Sequence, residues 1–156
     1  MEVIREKGIK SKATQYRWVV AGLFFVIYTI AAADRANLGV ALPFLRNEFQ
    51  MSNAEAGGLV SLFLLGYAFF QLPSAWLVSK FGVKKTFTIS MILTSAATAL
   101  TGMVSSLLAL KVCRFGLGIV EAPLPLGVTS TINNWFPSKE KGTASGIFLS
   151  AVKFSA

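Results

Sequence analysis

Residues 18–45, WVVAGLFFVIYTIAAADRANLGVALPFL, decide the fold class. As one helix they extend about 42 Å at about 1.5 Å per residue, more than the hydrocarbon thickness of about 30 Å that a membrane-spanning helix must cover. The only charges in the run are Asp34 and Arg35, so both would lie within the depth of a bilayer. Upstream, residues 1–17 are polar and carry Arg5, Lys7, Lys10, Lys12 and Arg17, which predicts an N-terminal segment outside the membrane. Basic residues, an apolar run and Ala31-Ala32-Ala33 also have the outline of a secretory signal peptide. Against that reading, the apolar pattern resumes at once and three more spanning runs follow.

Ser52-Asn53-Ala54-Glu55 has the Ser-x-x-Glu form of a capping box and opens a second helix over about 54–78. Lys80, Lys84 and Lys85 mark a tight loop around Gly82. A third helix is expected over about 86–104, and Ser105-Ser106 turn the chain into a fourth over about 107–135. Pro137 with Lys139, Glu140 and Lys141 closes the fourth. A fifth opens near Gly142 and is still running at residue 156, so the chain reads as a cytoplasmic segment, four spans and the start of another. A self-contained four-helix membrane anchor or assembly protein is the alternative, and it would be expected to end in a polar tail. Loops on the N-terminal side carry five, three and two Lys or Arg residues, against Arg46 alone on the other side. Ten against one places the N-terminus in the cytoplasm.

Composition agrees. Of 156 residues, 54% are hydrophobic and 14% charged, too apolar for a water-soluble domain of ordinary make-up. Cys113 is the one cysteine and histidine is absent, which rules out an internal disulfide, the common zinc clusters and histidine-dependent nucleophilic catalysis. An enzyme is therefore not expected, nor a metal or cofactor. The net charge of +8 sits at the N-terminus and in short loops, a topology signal rather than a nucleic-acid surface.

Asp34, Arg35, Arg114, Glu121 and Lys153 are charged residues deep inside the apolar runs. Each is costly in a bilayer, about 3 kcal/mol at its centre on insertion scales, and so should face a cavity or a partner. Counting from Trp18 for the first helix and Leu107 for the fourth brings Asp34 and Arg114 to similar heights, which predicts an ion pair. Glu121 lies two turns beyond Arg114 on the same face, and neither it nor Arg35 has an evident partner in the first four helices. A spare carboxylate beside a spare arginine has the composition of a proton site beside an anion site. Lys153, in the fifth helix, is expected to reach Glu121 and to add a cation to substrate binding. Gly57, Gly58, Gly66, Gly116 and Gly118 read as close-packing positions, and the Ser and Thr residues of the third helix as bonded to their own backbone.

Three blocks, DRANLGVALP (34–43), WLVSKFGVKK (76–85) and RFGLGIVEAPLPLG (114–127) leading into NNWFPSKEKGTASGIF (133–148), resemble the major facilitator superfamily. Within it they are most similar to the anion:cation symporters, which include hexuronate, glucarate and galactonate carriers. The resemblance implies an all-α polytopic membrane protein with the major facilitator fold, of which this chain holds part of the N-terminal six-helix half, with the C-terminal half lying elsewhere. It implies alternating access in the inner membrane, a small organic anion and protons as partners, and no cofactor. It also implies that Arg35 contacts the substrate carboxylate, that Asp34 and Glu121 carry protons, that Arg114 pairs with an acid and modulates release, and that the Gly82, Lys84 and Lys85 loop takes part in the conformational change. The chain departs from those relatives at Ala31-Ala32, where Asn-Tyr is usual, at Ala75 and Ser79 in place of Gly and Asp, and at Val152-Lys153 in place of Gln-Tyr.

Overall fold

The structure, a computed structural model, describes the backbone of residues 2–154 and the side chains of residues 16–33, 35–151 and 153. Among the described residues the regular elements are all helical: α1 Glu2–Glu48, α2 Asn53–Phe81, α3 Val83–Thr101, α4 Leu107–Glu121, α5 Pro123–Trp135 and α6 Ser138–Phe154. Two stretches, Tyr16–Glu48 and Asn53–Phe81, are long and apolar enough to cross a membrane. α1 is helical from Glu2 rather than from residue 18, and it runs three residues past the expected end.

Local chemistry explains the joints. The Ser52 hydroxyl accepts from the Glu55 amide at 3.2 Å while the Glu55 carboxylate accepts from the Ser52 amide at 3.0 Å, so both ends of the capping box are closed. Gly82 alone separates α2 from α3, with φ 81° and ψ 157°, a conformation open essentially to glycine. The single helix expected over 107–135 is instead α4 and α5, parted at Ala122. Pro123 and Pro125 lack the N–H groups that would bond the carbonyls of Ile119 and Glu121. Ala122 keeps helical angles of −55° and −34°, so the interruption is local.

By its internal contacts the chain divides into two compact units, Asp34–Gly127 and Met1–Ala33 with Val128–Ala156. In the first, α2 and α4 cross with almost no side-chain spacer. A Cβ on Gly118 would strike the Phe63 carbonyl and come within 2.8 Å of the Tyr67 amide, and one on Gly66 would strike the Phe115 carbonyl. The close-packing role thus belongs to Gly66 and Gly118, whereas a Cβ at Gly57, Gly58 or Gly116 would meet nothing within 4 Å. At one end of this unit Met51, Leu59 and Leu110 form a buried cluster covered by Leu42, Leu45 and Phe49. The hydroxyls of α3 do not all turn back on their own helix as expected. Ser90 donates to the Val120 carbonyl and Thr86 to the Leu77 carbonyl at 3.3 Å, because both sit on the face of α3 that meets α4 and α2; Thr101 does bond its own helix, at Ala97.

The second unit joins α1 to α6 and to Phe136, just after α5, through aromatic contacts, Trp18 with Phe136 at 5.3 Å and Tyr28 with Phe148 at 4.4 Å between ring centroids. Arg17 closes it with an ion pair to Glu140 at 2.7 Å. Large apolar side chains such as Leu72, Phe69 and Phe44 are exposed, and helices apolar on all sides are those of a membrane span or a large core.

Candidate functional site: a buried arginine–glutamate pair

α4 buries Leu110, Arg114, Leu117, Gly118 and Glu121, a spacing of four, three, one and three residues that keeps them on one helical face. α1 passes Arg35 across that face. The Arg35 Nη2 donates to Glu121 Oε2 at 2.6 Å and Nε donates to the same oxygen at 3.1 Å. The glutamate side chain is 0% exposed and the arginine side chain 31%, so one partner is sealed and the other is reachable. The guanidinium also lies 5.3 Å from the ring centroid of Phe63 and 5.7 Å from that of Tyr67, and the two rings stack on each other at 6.2 Å. Those contacts favour the cation. Gly118 brings the α2 backbone at Phe63 and Tyr67 against α4, so the residue that permits the crossing also fixes the rings under Arg35.

A cavity of about 200 Å³ is lined by Arg35 and Arg114 together with Leu38, Leu42, Phe63 and Leu64. Arg114 is 7% exposed. Two guanidiniums on one small, otherwise apolar cavity are suited to an anion, and Arg35 in particular can present a planar fork to a carboxylate.

The expectation that Arg35 and Glu121 lack partners in the first four helices is therefore corrected, since they partner each other. Measured from the ends at Glu48 and Leu107, Arg35 is 13 residues in and Glu121 is 14, about 20 Å and 21 Å. The expected Asp34–Arg114 pair, and the role given to Asp34, concern a side chain that lies outside the described residues. Lys153 is exposed in the last turn of α6. It belongs to the other unit, and Glu121 has a charged partner without it. Gly82 makes the α2–α3 turn and Lys84 and Lys85 follow it in the first turn of α3, both exposed. Among the described residues no group of His, Cys, Asp and Glu is placed to hold a metal ion.

Two features were missed in the sequence. Phe63 and Tyr67 are four residues apart, the spacing of side chains on one helix face, and that pattern opposite an intramembrane arginine was the available signal. Lys111 reaches Glu55 at 3.6 Å near the end where α4 begins, so the charge count on the side of Arg46 should have included a second cation.

Residues 24–156 match the Major Facilitator Superfamily. The chain is 36% identical over 152 residues to "Probable galactarate/D-glucarate transporter GarP" of Escherichia coli K12, covering 94% of this chain and 34% of that protein. It is 37% identical over 131 residues to "Probable sulfoacetate transporter SauU" of Cupriavidus necator, covering 84% of this chain and 30% of that one. Among solved structures it is similar to the crystal structure of a bacterial homolog of the human lysosomal transporter Spinster, inward-facing and unoccupied, with TM-score 0.83 and 28% identity over 90% of this chain and 30% of the other. The chain thus spans about a third of the length of the relatives it matches. By the extent of that match, and with an all-helical fold that aligns with a solved transporter over 90% of its length, the chain belongs to the Major Facilitator Superfamily.

Proposed function

We propose that this chain is the N-terminal part of a proton-coupled carrier of small organic anions, sugar acids or related carboxylates, that works by alternating access in the inner membrane with its N-terminus in the cytoplasm. The observation that carries the reading is the Arg35–Glu121 pair at a cavity that Arg114 also lines. In the empty site Glu121 neutralises Arg35. When Glu121 takes up a proton it gives up its claim on the guanidinium, and Arg35 can offer its donors to a substrate carboxylate. Binding of the anion and binding of the proton then favour each other, which is the thermodynamic content of symport.

The cavity of about 200 Å³ is smaller than the roughly 300–1,000 Å³ of a complete small-molecule site. The remaining walls are assigned to the helices that the longer relatives possess beyond the matched region. In this reading Arg114 pairs with an acid and modulates release, Asp34 is a second proton carrier, Lys153 is a further cationic contact for the substrate, and the Gly82, Lys84 and Lys85 turn takes part in the change of state. Similarity to transporters over 94% of the chain favours a carrier over a self-contained four-helix anchor.

The test is uptake of labelled glucarate, galactarate and sulfoacetate by proteoliposomes holding the complete carrier. Arg35→Lys is expected to lose most substrate binding, because a point charge does not replace the planar fork. Binding within about threefold of wild type, under 1 kcal/mol, would assign Arg35 to packing. Reporter fusions after Lys85 and after Met51 check the orientation, and the first should be cytoplasmic and the second outside.

A further inference from the structure

A second cavity, of about 380 Å³, runs along α2, α3 and α4 and shares no lining residue with the Arg35 cavity. Its walls are apolar, with Leu77 and Phe81 from α2, Ile89 and Leu93 from α3 and Ile119 from α4. The two hydroxyls that line it, Thr86 and Ser90, are already committed to the carbonyls of Leu77 and Val120. Lys85 is the one charged residue on its wall. Lys85 and Leu93 are eight residues apart on α3, so the apolar wall extends about 12 Å from the lysine along that helix.

The end at Lys85 has the chemistry of a membrane surface. Gly82 turns the chain there, Lys84 and Lys85 are exposed, and Lys80 Nζ stands 4.5 Å from the Trp76 ring centroid and 5.5 Å from that of Phe81. Aromatic rings and lysines mixed at the end of a span are the side chains that settle among headgroups. No acidic residue occurs between Glu55, in the first turn of α2, and Glu121, which bonds Arg35, so the chain around the α2–α3 turn gives the lysines no counter-charge of its own.

We propose that this groove binds an anionic phospholipid, with one acyl chain along the α2–α3–α4 wall and the phosphate at Lys85 and Lys84. Charge complementarity selects the lipid: an apolar chain alone would fill the groove but leave the lysines at its mouth unmatched, and juxtamembrane lysines favour anionic headgroups. The proposal needs only that the chain spans a membrane and is independent of what the Arg35 site carries.

It can be tested on the complete protein in its native membrane with phosphatidylglycerol and phosphatidylcholine probes, each carrying a photoreactive diazirine midway along one acyl chain. The phosphatidylglycerol probe should label the peptides around Ile89, Leu93 and Ile119 about fivefold more than the phosphatidylcholine probe, and Lys85→Glu should abolish that preference, since one lysine near an anionic surface is worth about that factor. Lys139→Glu, in the first turn of α6, should leave it intact, and Ile89→Trp, which fills the groove, should lower labelling by both probes. If Lys85→Glu does not reach the membrane, competition of the wild-type signal by unlabelled phosphatidylglycerol but not phosphatidylcholine supports the site. Equal labelling by the two probes, labelling that ignores Lys85, or a groove that cross-links to protein instead of lipid would overturn it.

Discussion

Two arginine–glutamate pairs among the described residues have nearly the same length, 2.6 Å for Arg35–Glu121 and 2.7 Å for Arg17–Glu140, and each arginine also rests on an aromatic ring, Phe63 or Phe136. Their surroundings are opposite. Glu140 is 34% exposed and lies in the first turn of α6, where water and the helix N-terminus both accommodate its charge. Glu121 is wholly buried midway along the connected α4–α5 segment, where its charge depends on protein partners. Similar contacts therefore carry different consequences: the Arg17 pair fastens α1 to the first turn of α6, and the Arg35 pair holds charges that cannot be left alone.

Removing one member of each pair separates these roles. Arg35→Ala leaves a buried carboxylate without its charged partner, a loss of about 3–5 kcal/mol for a buried pair, and should abolish both substrate binding and most of the stability of the Asp34–Gly127 unit in thermal denaturation. A stable Arg35→Ala protein would break the contrast. Gly118→Ala is expected next, at about 1–3 kcal/mol, because its Cβ would press on the backbone of Phe63 and Tyr67. Gly58→Ala, with open space around it, should be neutral in the same assay. Glu140→Gln should cost less than about 1 kcal/mol and leave transport unchanged. Lys153→Gln, at an exposed position, should lower substrate affinity by less than about tenfold, or 1.4 kcal/mol, in equilibrium binding; a larger loss would make α6 part of the principal anion site.

Much of the fold was legible because membrane insertion leaves coarse marks. Apolar runs, the Ser52–Glu55 box and the turn at Gly82 each follow from a local rule, and the structure shows all of them. The division at Ala122 was also written in Pro123 and Pro125, but a continuous apolar run outweighed it. The site was only half legible. That Arg35, Arg114 and Glu121 needed a cavity or partners followed from their cost in lipid, yet the choice of partner depends on helix phase and on the true end of α1. Extending that helix from residue 45 to Glu48, and counting from there, brings Arg35 to the depth of Glu121. The cross-helix bonds of Thr86 and Ser90 were hidden for a similar reason, since a hydroxyl can turn to its own backbone or to a neighbour and only packing decides.

The central claim is that Glu121 and Arg35 form a switch in which the proton on one releases the other for the substrate. It is tested most directly by placing gradient-driven uptake beside counterflow in proteoliposomes of the complete carrier with Glu121→Gln. The amide holds the site in a neutral state resembling the protonated acid, so exchange of labelled for unlabelled substrate should persist while accumulation driven by a pH gradient is lost. A Glu121→Gln carrier that still concentrates its substrate as the wild type does would contradict the account and leave the Arg35–Glu121 pair as packing.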